Sequence, residues 1–159
     1  MQIVSIGHSV AAFFLASYGF LFRRSKYDVL LLGIVYTMAL LWSLYKGECL
    51  LSYYLKKYKD PTYVLGSNVY SDDIYIVFGP NYFPAMKAYY TIVNPLLQTA
   101  TLYLLLKRQQ FSQPVTIVYP LLFYVYYYTT RFLKTDGFNP LFTLLFAYVL
   151  YDIFRTKLK

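Results

Sequence analysis

Four chemically distinct residues interrupt a long apolar stretch: Lys46, Gly47, Glu48 and Cys49. A carboxylate in apolar surroundings is costly unless it is paired or protonated, so Glu48 is a candidate proton carrier or general base. His8 is the sole histidine and the one partner available to assist it. A thiolate nucleophile needs a positioned base, so we interpret Cys49 as a small buried side chain. The structural alternative is that Glu48 marks a helix leaving the membrane and is bonded by a polar neighbour.

A second polar set lies further along the chain. Thr91, Asn94, Gln98 and Thr101 recur at spacings of three, four and three, so they share one face of a helix that also contains Pro95. Such a face can line a pore or a substrate pocket, where amide groups solvate a polar ligand. It can equally form interhelical hydrogen bonds. The sequence favours the hydrogen-bonding interpretation, because no ionisable residue lies at that depth in the helix.

The composition indicates the medium in which these residues lie. Of 159 residues, 58% are hydrophobic and 14% charged, whereas a soluble domain typically has about a quarter charged residues. Tyrosine (21) and phenylalanine (13) are abundant, as at membrane–water boundaries. We therefore predict an integral membrane protein.

The net charge of +8 does not change this prediction. The basic residues stand in short clusters at the ends of apolar runs, which is typical of membrane topology and of contact with anionic headgroups. A nucleic-acid surface would need one continuous basic face, so no nucleic-acid partner is expected. The clusters lie at residues 23–26, 56–57, 107–108 and 155–159.

The apolar runs predict an all-α fold: a polytopic transmembrane helix bundle of about five spans, with four possible, forming a single domain over residues 1–159. An aromatic-rich interfacial cap is expected over residues 56–85, in which Ile74–Phe78 suits a short strand. The second span is expected to continue beyond the bilayer as one helix through Glu48 and Lys56. The predicted spans are residues 3–22, 29–45, 86–106, 115–130 and 140–154.

Small residues in the first span predict a packing seam. They recur at spacings of four, three, four and three, so they share a face, and such faces let membrane helices approach closely. These residues are Ser5, Ser9, Ala12, Ala16 and Gly19. The basic cluster after this span favours an N-terminus outside and a C-terminus inside, although the lysines of the long second loop favour the reverse.

The sequence lacks strong catalytic signatures. It contains no P-loop, no Gly-x-Ser-x-Gly elbow, no His-Glu-x-x-His motif and no Cys-x-x-Cys pair. Its one cysteine and one histidine offer no metal-ligand cluster, so neither a metal nor a cofactor is expected. An enzyme is therefore less favoured than a structural protein.

Residues 42–68 resemble a pattern in small uncharacterised polytopic membrane proteins of large DNA viruses of algae and protists. In these, a tryptophan-bearing span runs into Gly-Glu-Cys, a short helix and a Tyr-x-Leu-Gly segment. The resemblance implies a viral or virus-derived membrane protein. The matching positions are Trp42, Gly47, Glu48, Cys49, Tyr63, Leu65 and Gly66.

Three functions follow as hypotheses. The first is a structural or assembly protein of a larger membrane complex, with the lipid bilayer and other membrane subunits or capsid proteins as partners. The second is a small channel or transporter using the Thr91–Thr101 face, and the third is a membrane enzyme using Glu48. The expected location is a host membrane, a virion inner membrane or an organelle membrane.

Overall fold

A computed structural model describes residues 2–67, 73–131 and 140–157, and every regular element in these ranges is helical. The all-α prediction is therefore confirmed. The helices are α1 (Gln2–Leu21), α2 (Tyr27–Leu44), α3 (Leu50–Lys59), α4 (Asp73–Ala88), a π-helical segment (Tyr89–Val93), α5 (Asn94–Arg108), α6 (Gln113–Arg131) and α7 (Pro140–Lys157). Residues 68–72 of the expected cap and the turn sequence before Pro140 lie outside the described residues.

The chain divides into two compact units. The first contains residues 1–25 and 72–124, and the second contains residues 26–71 and 125–159. The boundary falls within α6, between Tyr124 and Val125.

The first unit is built on the packing of α1 against α5. Gly19 permits the closest approach, since a Cβ atom built there would lie 2.9 Å from the Thr101 Cα atom. Ser5 and Ala16, from the same face of α1, are each only 1% exposed. The small residues of α1 thus lie where backbones meet, which is how a small-residue face is used in helix packing.

Two irregularities precede α5. Gly79 adopts φ 69° and ψ 177°, a conformation open essentially to glycine, so α4 consists of two helical pieces that meet there. The segment Ile74–Phe78 is helical, and the expected strand is wrong, because the helix begins at Asp73 and runs through it. In the π-helical segment the Asn94 N–H bonds to the Tyr89 carbonyl, which accommodates Pro95 and its missing N–H.

The second unit is built on α2 and α7, which run in opposite directions. Ser43 near the end of α2 accepts a hydrogen bond from Thr143 near the start of α7, at 3.0 Å between hydroxyl oxygens. Near the other end, a Cβ atom built at Gly33 would lie 3.0 Å from the Phe154 ring. Between these contacts the buried rings of Tyr36 and Phe146 face each other with centroids 6.3 Å apart.

The second helix does not project beyond its apolar run as the sequence suggested. It ends at Leu44, because Lys46 and Gly47 both adopt left-handed backbone conformations (φ 51° and 79°). Extended Cys49 then starts a separate helix, α3. The expected single face from Tyr45 to Lys56 is therefore wrong, although Glu48 and Lys56 do meet.

One described helix, α2, is both long enough and apolar enough to cross a membrane by length and composition. The stretch Ser5–Leu21 is apolar but shorter than that requirement. Helices α6 and α7 correspond to the fourth and fifth predicted spans, but their tyrosines and charged ends lower their hydropathy. The five-span prediction thus has one span supported by length and hydropathy.

The contact at Gly19 generates a prediction. We expect Gly19→Ala to lower the free energy of unfolding by about 1–3 kcal/mol, because the new Cβ atom forces α1 and α5 apart. Denaturant unfolding in detergent micelles measures the change. Gly7→Ala is the matched control: nothing lies within 4 Å of its Cβ position, so the helix-propensity gain leaves it neutral or stabilising. Equal effects at both positions would contradict the close approach.

Candidate functional site

The backbone between α2 and α3 positions the Glu48 side chain. The Gly47 N–H donates to the Trp42 carbonyl at 2.7 Å, closing the end of α2 in the six-to-one pattern of a Schellman motif. Left-handed Lys46 occupies the position that glycine usually takes in that motif. The next N–H, that of Glu48, donates to the Tyr45 carbonyl at 2.9 Å. The chain therefore turns sharply immediately before Glu48.

The Glu48 carboxylate is 1% exposed and both of its oxygens accept hydrogen bonds. Oε1 accepts from Lys56 Nζ and from the Tyr63 hydroxyl, each at 2.8 Å. Oε2 accepts from the Gly66 N–H at 3.1 Å. The Glu48 carboxylate thus connects the end of α2, helix α3 and the loop after α3. We call Glu48, Lys56, Tyr63 and Gly66 the Glu48 cluster.

Lys56 and Tyr63 also contact each other within the cluster. The Lys56 Nζ atom lies 5.4 Å from the centroid of the Tyr63 ring, at cation–π distance. The Lys56 side chain is 16% exposed, so its ion pair with Glu48 is only weakly screened by solvent. The charge of Glu48 is therefore compensated inside the protein.

Gly66 completes the cluster because its backbone approaches Lys46 closely. Its φ of +83° is in the left-handed region, and a Cβ atom there would lie 3.0 Å from Lys46 Cβ. The aliphatic stem of exposed Lys46 covers this glycine, as expected for a lysine that keeps its ammonium in the polar phase. A side chain at position 66 would displace the N–H that Glu48 binds.

An Asx turn supports the loop that carries Tyr63 and Gly66. The exposed Asp60 carboxylate accepts from the Thr62 hydroxyl at 2.6 Å and from the Thr62 N–H at 2.8 Å. These two bonds favour the ionised form and hold the pKa of Asp60 below its usual value. The turn's contribution to stability is therefore present above the ordinary pKa of aspartate and is lost as the pH falls through the lowered one.

The hydrogen bonds of the Glu48 cluster bear on the hypothesis that Glu48 is a general base. A general base needs the proton it abstracts within hydrogen-bond reach, whereas both Glu48 oxygens already accept bonds from the protein. Cys49 is half-buried at the start of α3. His8 lies in α1, which belongs to the other unit. The enzyme hypothesis based on Glu48 and His8 stays a prediction.

The polar face of α5 is bonded to α1 and to itself. Asn94 Nδ2 donates to the Ala12 carbonyl at 3.2 Å, and the Thr101 hydroxyl donates to the Ala16 carbonyl at 2.8 Å. Gln98 Nε2 donates to Asn94 Oδ1 at 2.6 Å. Thr91 is turned to its own helix, where its hydroxyl donates to the Lys87 carbonyl at 2.6 Å. Asn94 and Thr101 of the predicted polar face thus meet Ala12 and Ala16 of the predicted small-residue seam at one interface.

Two residues that sequence reasoning missed extend this interface. Arg108 donates from its two terminal nitrogens to the carbonyls of Gly19 and Phe22, which lie at the end of α1. Gln109 Nε2 donates to the Ser25 carbonyl at 2.9 Å. The available signal was spacing, since Arg108 follows Thr101 by seven residues and so falls on the same face. In the sequence, Arg108 stands out only as part of the basic cluster at residues 107–108.

Within the described residues, no group of three or more His, Cys, Asp or Glu side chains is placed to hold a metal ion. Comparison with protein-family models, with curated protein sequences and with solved structures gave no match. The resemblance of residues 42–68 to viral membrane proteins therefore stays a prediction.

The Glu48 cluster generates a prediction. Glu48→Gln and Lys56→Met are each expected to lower the free energy of unfolding by on the order of 3 kcal/mol, because each leaves a buried charge without its partner. The double variant should lose less than the sum of the two. Denaturant unfolding in micelles measures the cycle. Lys59→Met, at an exposed lysine of the same helix, is the control and should stay within about 0.5 kcal/mol of the parent. Additive losses from Glu48→Gln and Lys56→Met would contradict a coupled pair.

Proposed function

We propose that this chain is a multi-pass integral membrane protein with a structural or assembly role in a larger membrane complex or virion membrane. The observation that carries the proposal is the set of hydrogen bonds that the polar side chains of α5 donate to α1. Asn94, Thr101 and Arg108 donate to main-chain carbonyls of α1, so their polarity serves helix packing.

Length and hydropathy support one span, α2. The distribution of side chains on α1 supports the membrane assignment independently. Ser5 and Ser9 are buried, while large apolar side chains on the opposite face are exposed, Ile3 at 85% and Val10 at 62%. An arrangement with polar groups inward and apolar groups outward suits a lipid surrounding. It also suits contact with neighbouring membrane subunits.

The directions of the helices inside each unit also support several crossings. In a five-span chain the first and third spans run the same way, and the second and fifth run in opposite ways. Helices α1 and α5 are parallel, because Ala12 bonds to Asn94 and Phe22 to Arg108. Helices α2 and α7 are antiparallel, because Ser43 bonds to Thr143 while Gly33 approaches Phe154. Both pairings agree with the proposed topology.

The channel and enzyme hypotheses have less support. A path along Thr91, Asn94 and Gln98 would need their polar groups to face a solute, and they face Lys87, Ala12 and Asn94 in the described bonds. The resemblance of residues 42–68 adds a viral or virus-derived membrane as the proposed setting. Capsid proteins or other membrane subunits are the proposed neighbours.

The proposed topology predicts which loops share a side of the membrane. In a Cys49→Ser background, single cysteines at Ser25, Ser112 and Lys157 should react with a membrane-impermeant maleimide from one side of sealed vesicles. A cysteine at Ser67 should react only from the other side, because α2 lies between Ser25 and Ser67. Labelling is read by gel shift before and after permeabilisation. Reaction of all four cysteines from the same side would contradict the crossing by α2.

The packing role of α5 predicts a result in flux assays. Liposomes containing the parent chain should pass ions and small polar solutes at the rate of empty liposomes, and Asn94→Leu should lower stability without changing flux. Dye-release and ion-flux fluorescence give the rates, and Thr99→Val is the control because Thr99 bonds within its own helix to Pro95. Flux above that of empty vesicles, abolished by Asn94→Leu, would favour the channel hypothesis instead.

A further inference from the structure

Helix α3 differs from the other helices of its unit because none of its residues is buried. Leu51, Tyr54 and Tyr58 follow at spacings of three and four, so they form one face, and they are 47%, 57% and 89% exposed. We call these three residues the α3 outer face. An apolar, tyrosine-rich face on a helix of ten residues suits a partner that accepts both ring and hydroxyl. Within the protein, Tyr54 also hydrogen-bonds to Tyr45, just after α2.

The lysines of α3 lie on different sides of the helix. Lys56 lies on the side of the helix opposite the outer face, where it binds Glu48. Lys57 and Lys59 lie roughly 100° to either side of the centre of the outer face, at 100° of rotation per residue. Both are exposed, and Lys57 Nζ also reaches the Tyr63 carbonyl at 3.2 Å. An apolar face flanked by lysines is the pattern of a helix lying in the plane of a membrane interface.

The Glu48 cluster fixes where this helix can lie. Glu48 comes four residues after the last residue of α2, and its bonds to Lys56 and Gly66 hold α3 at that end of α2. If α2 crosses the bilayer, its end lies at the depth of the headgroups, and α3 lies there with it. Because Glu48 is buried and paired with Lys56, its negative charge is not exposed at the surface where α3 lies, and so it does not repel anions there.

We propose that α3 is an interfacial helix that binds anionic lipid, with its outer face among the upper acyl-chain segments and with Lys57 and Lys59 on lipid phosphates. This inference rests on the proposed membrane function and adds to it a partner of stated chemistry, an anionic lipid surface. The charge selects lipid over an apolar protein partner, because the two exposed lysines that flank the face complement the negative charge of lipid phosphates.

The experiment places a single tryptophan on the α3 outer face. The full chain carries Trp42→Phe and Tyr58→Trp and is placed in nanodiscs of phosphatidylcholine alone or mixed with phosphatidylglycerol. Quenching by lipids brominated near the top of the acyl chain should be strong at position 58, and stronger when phosphatidylglycerol is present. Val64→Trp in the same background is the control, because Val64 is also exposed, at 67%, but lies in the loop outside this face. Quenching at position 64 should be weak.

A second tryptophan separates failure of this inference from failure of the membrane proposal. Ile34→Trp, in the Trp42→Phe background, lies in the middle of α2 at 45% exposure and reports on insertion by quenching with deeply brominated lipids. Quenching at 34 but not at 58 would overturn the interfacial position of α3 while leaving the membrane function intact. Equal quenching at 58 and 64 would also overturn the assignment to the outer face. Absence of quenching at 34 would overturn both proposals.

The lysine variants test the lipid chemistry. K57Q/K59Q leaves Lys56 and the Glu48 cluster in place and should abolish the stronger quenching in phosphatidylglycerol, since each lysine contributes about fivefold to binding an anionic surface. K26Q/K107Q removes the same charge from positions outside α3 and should preserve the stronger quenching in phosphatidylglycerol. A preference for phosphatidylglycerol that survives K57Q/K59Q would overturn the role of these two lysines.

Discussion

The structure depends on satisfying polar groups from within the protein. In the first unit, α5 presents Asn94, Thr101 and Arg108 to carbonyls along α1, and the small residues of α1 leave those carbonyls within reach. The Ala12 and Ala16 carbonyls lie inside α1 and each has a second lone pair, so their bonds to Asn94 and Thr101 add to the helical hydrogen bonds without breaking them. The Gly19 carbonyl lies in the last turn of α1, where carbonyls lack a helical donor, and Arg108 supplies one. Gly19 illustrates the condition, because a side chain there would separate the two backbones.

The same constraint explains the second unit. Ser43 and Thr143 bond to each other between α2 and α7, beside buried apolar and aromatic side chains such as Phe146 and Ile153. At the end of α2 a full charge is buried, and Glu48 obtains compensation from Lys56 and further bonds from the loop after α3. Such a pair is a geometric constraint more than a source of stability, because desolvation offsets much of its attraction. It fixes the position of α3.

Much of the helical architecture could be predicted, because an apolar run of about 20 residues favours an α-helix, which satisfies its own backbone hydrogen bonds. The spacing of residues also predicted the small-residue seam of α1 and the polar face of α5. It did not predict that these two faces pair, because periodicity shows which residues share a face and not which helix that face contacts. The end of α2 was not predictable: left-handed Lys46 replaces the expected glycine, and only the fold brings Gly66 against it. The strand assigned to Ile74–Phe78 was wrong because its β-branched and aromatic residues suit either structure.

The proposed membrane function requires lipid to surround most of this chain, with its polar groups turned inward to one another. The direct measurement is the phase in which the expressed chain is recovered. We expect the chain to stay in the membrane pellet after alkaline carbonate extraction and to partition into the detergent-rich phase. Recovery of the full-length chain as a monodisperse species in buffer free of detergent and lipid would contradict it.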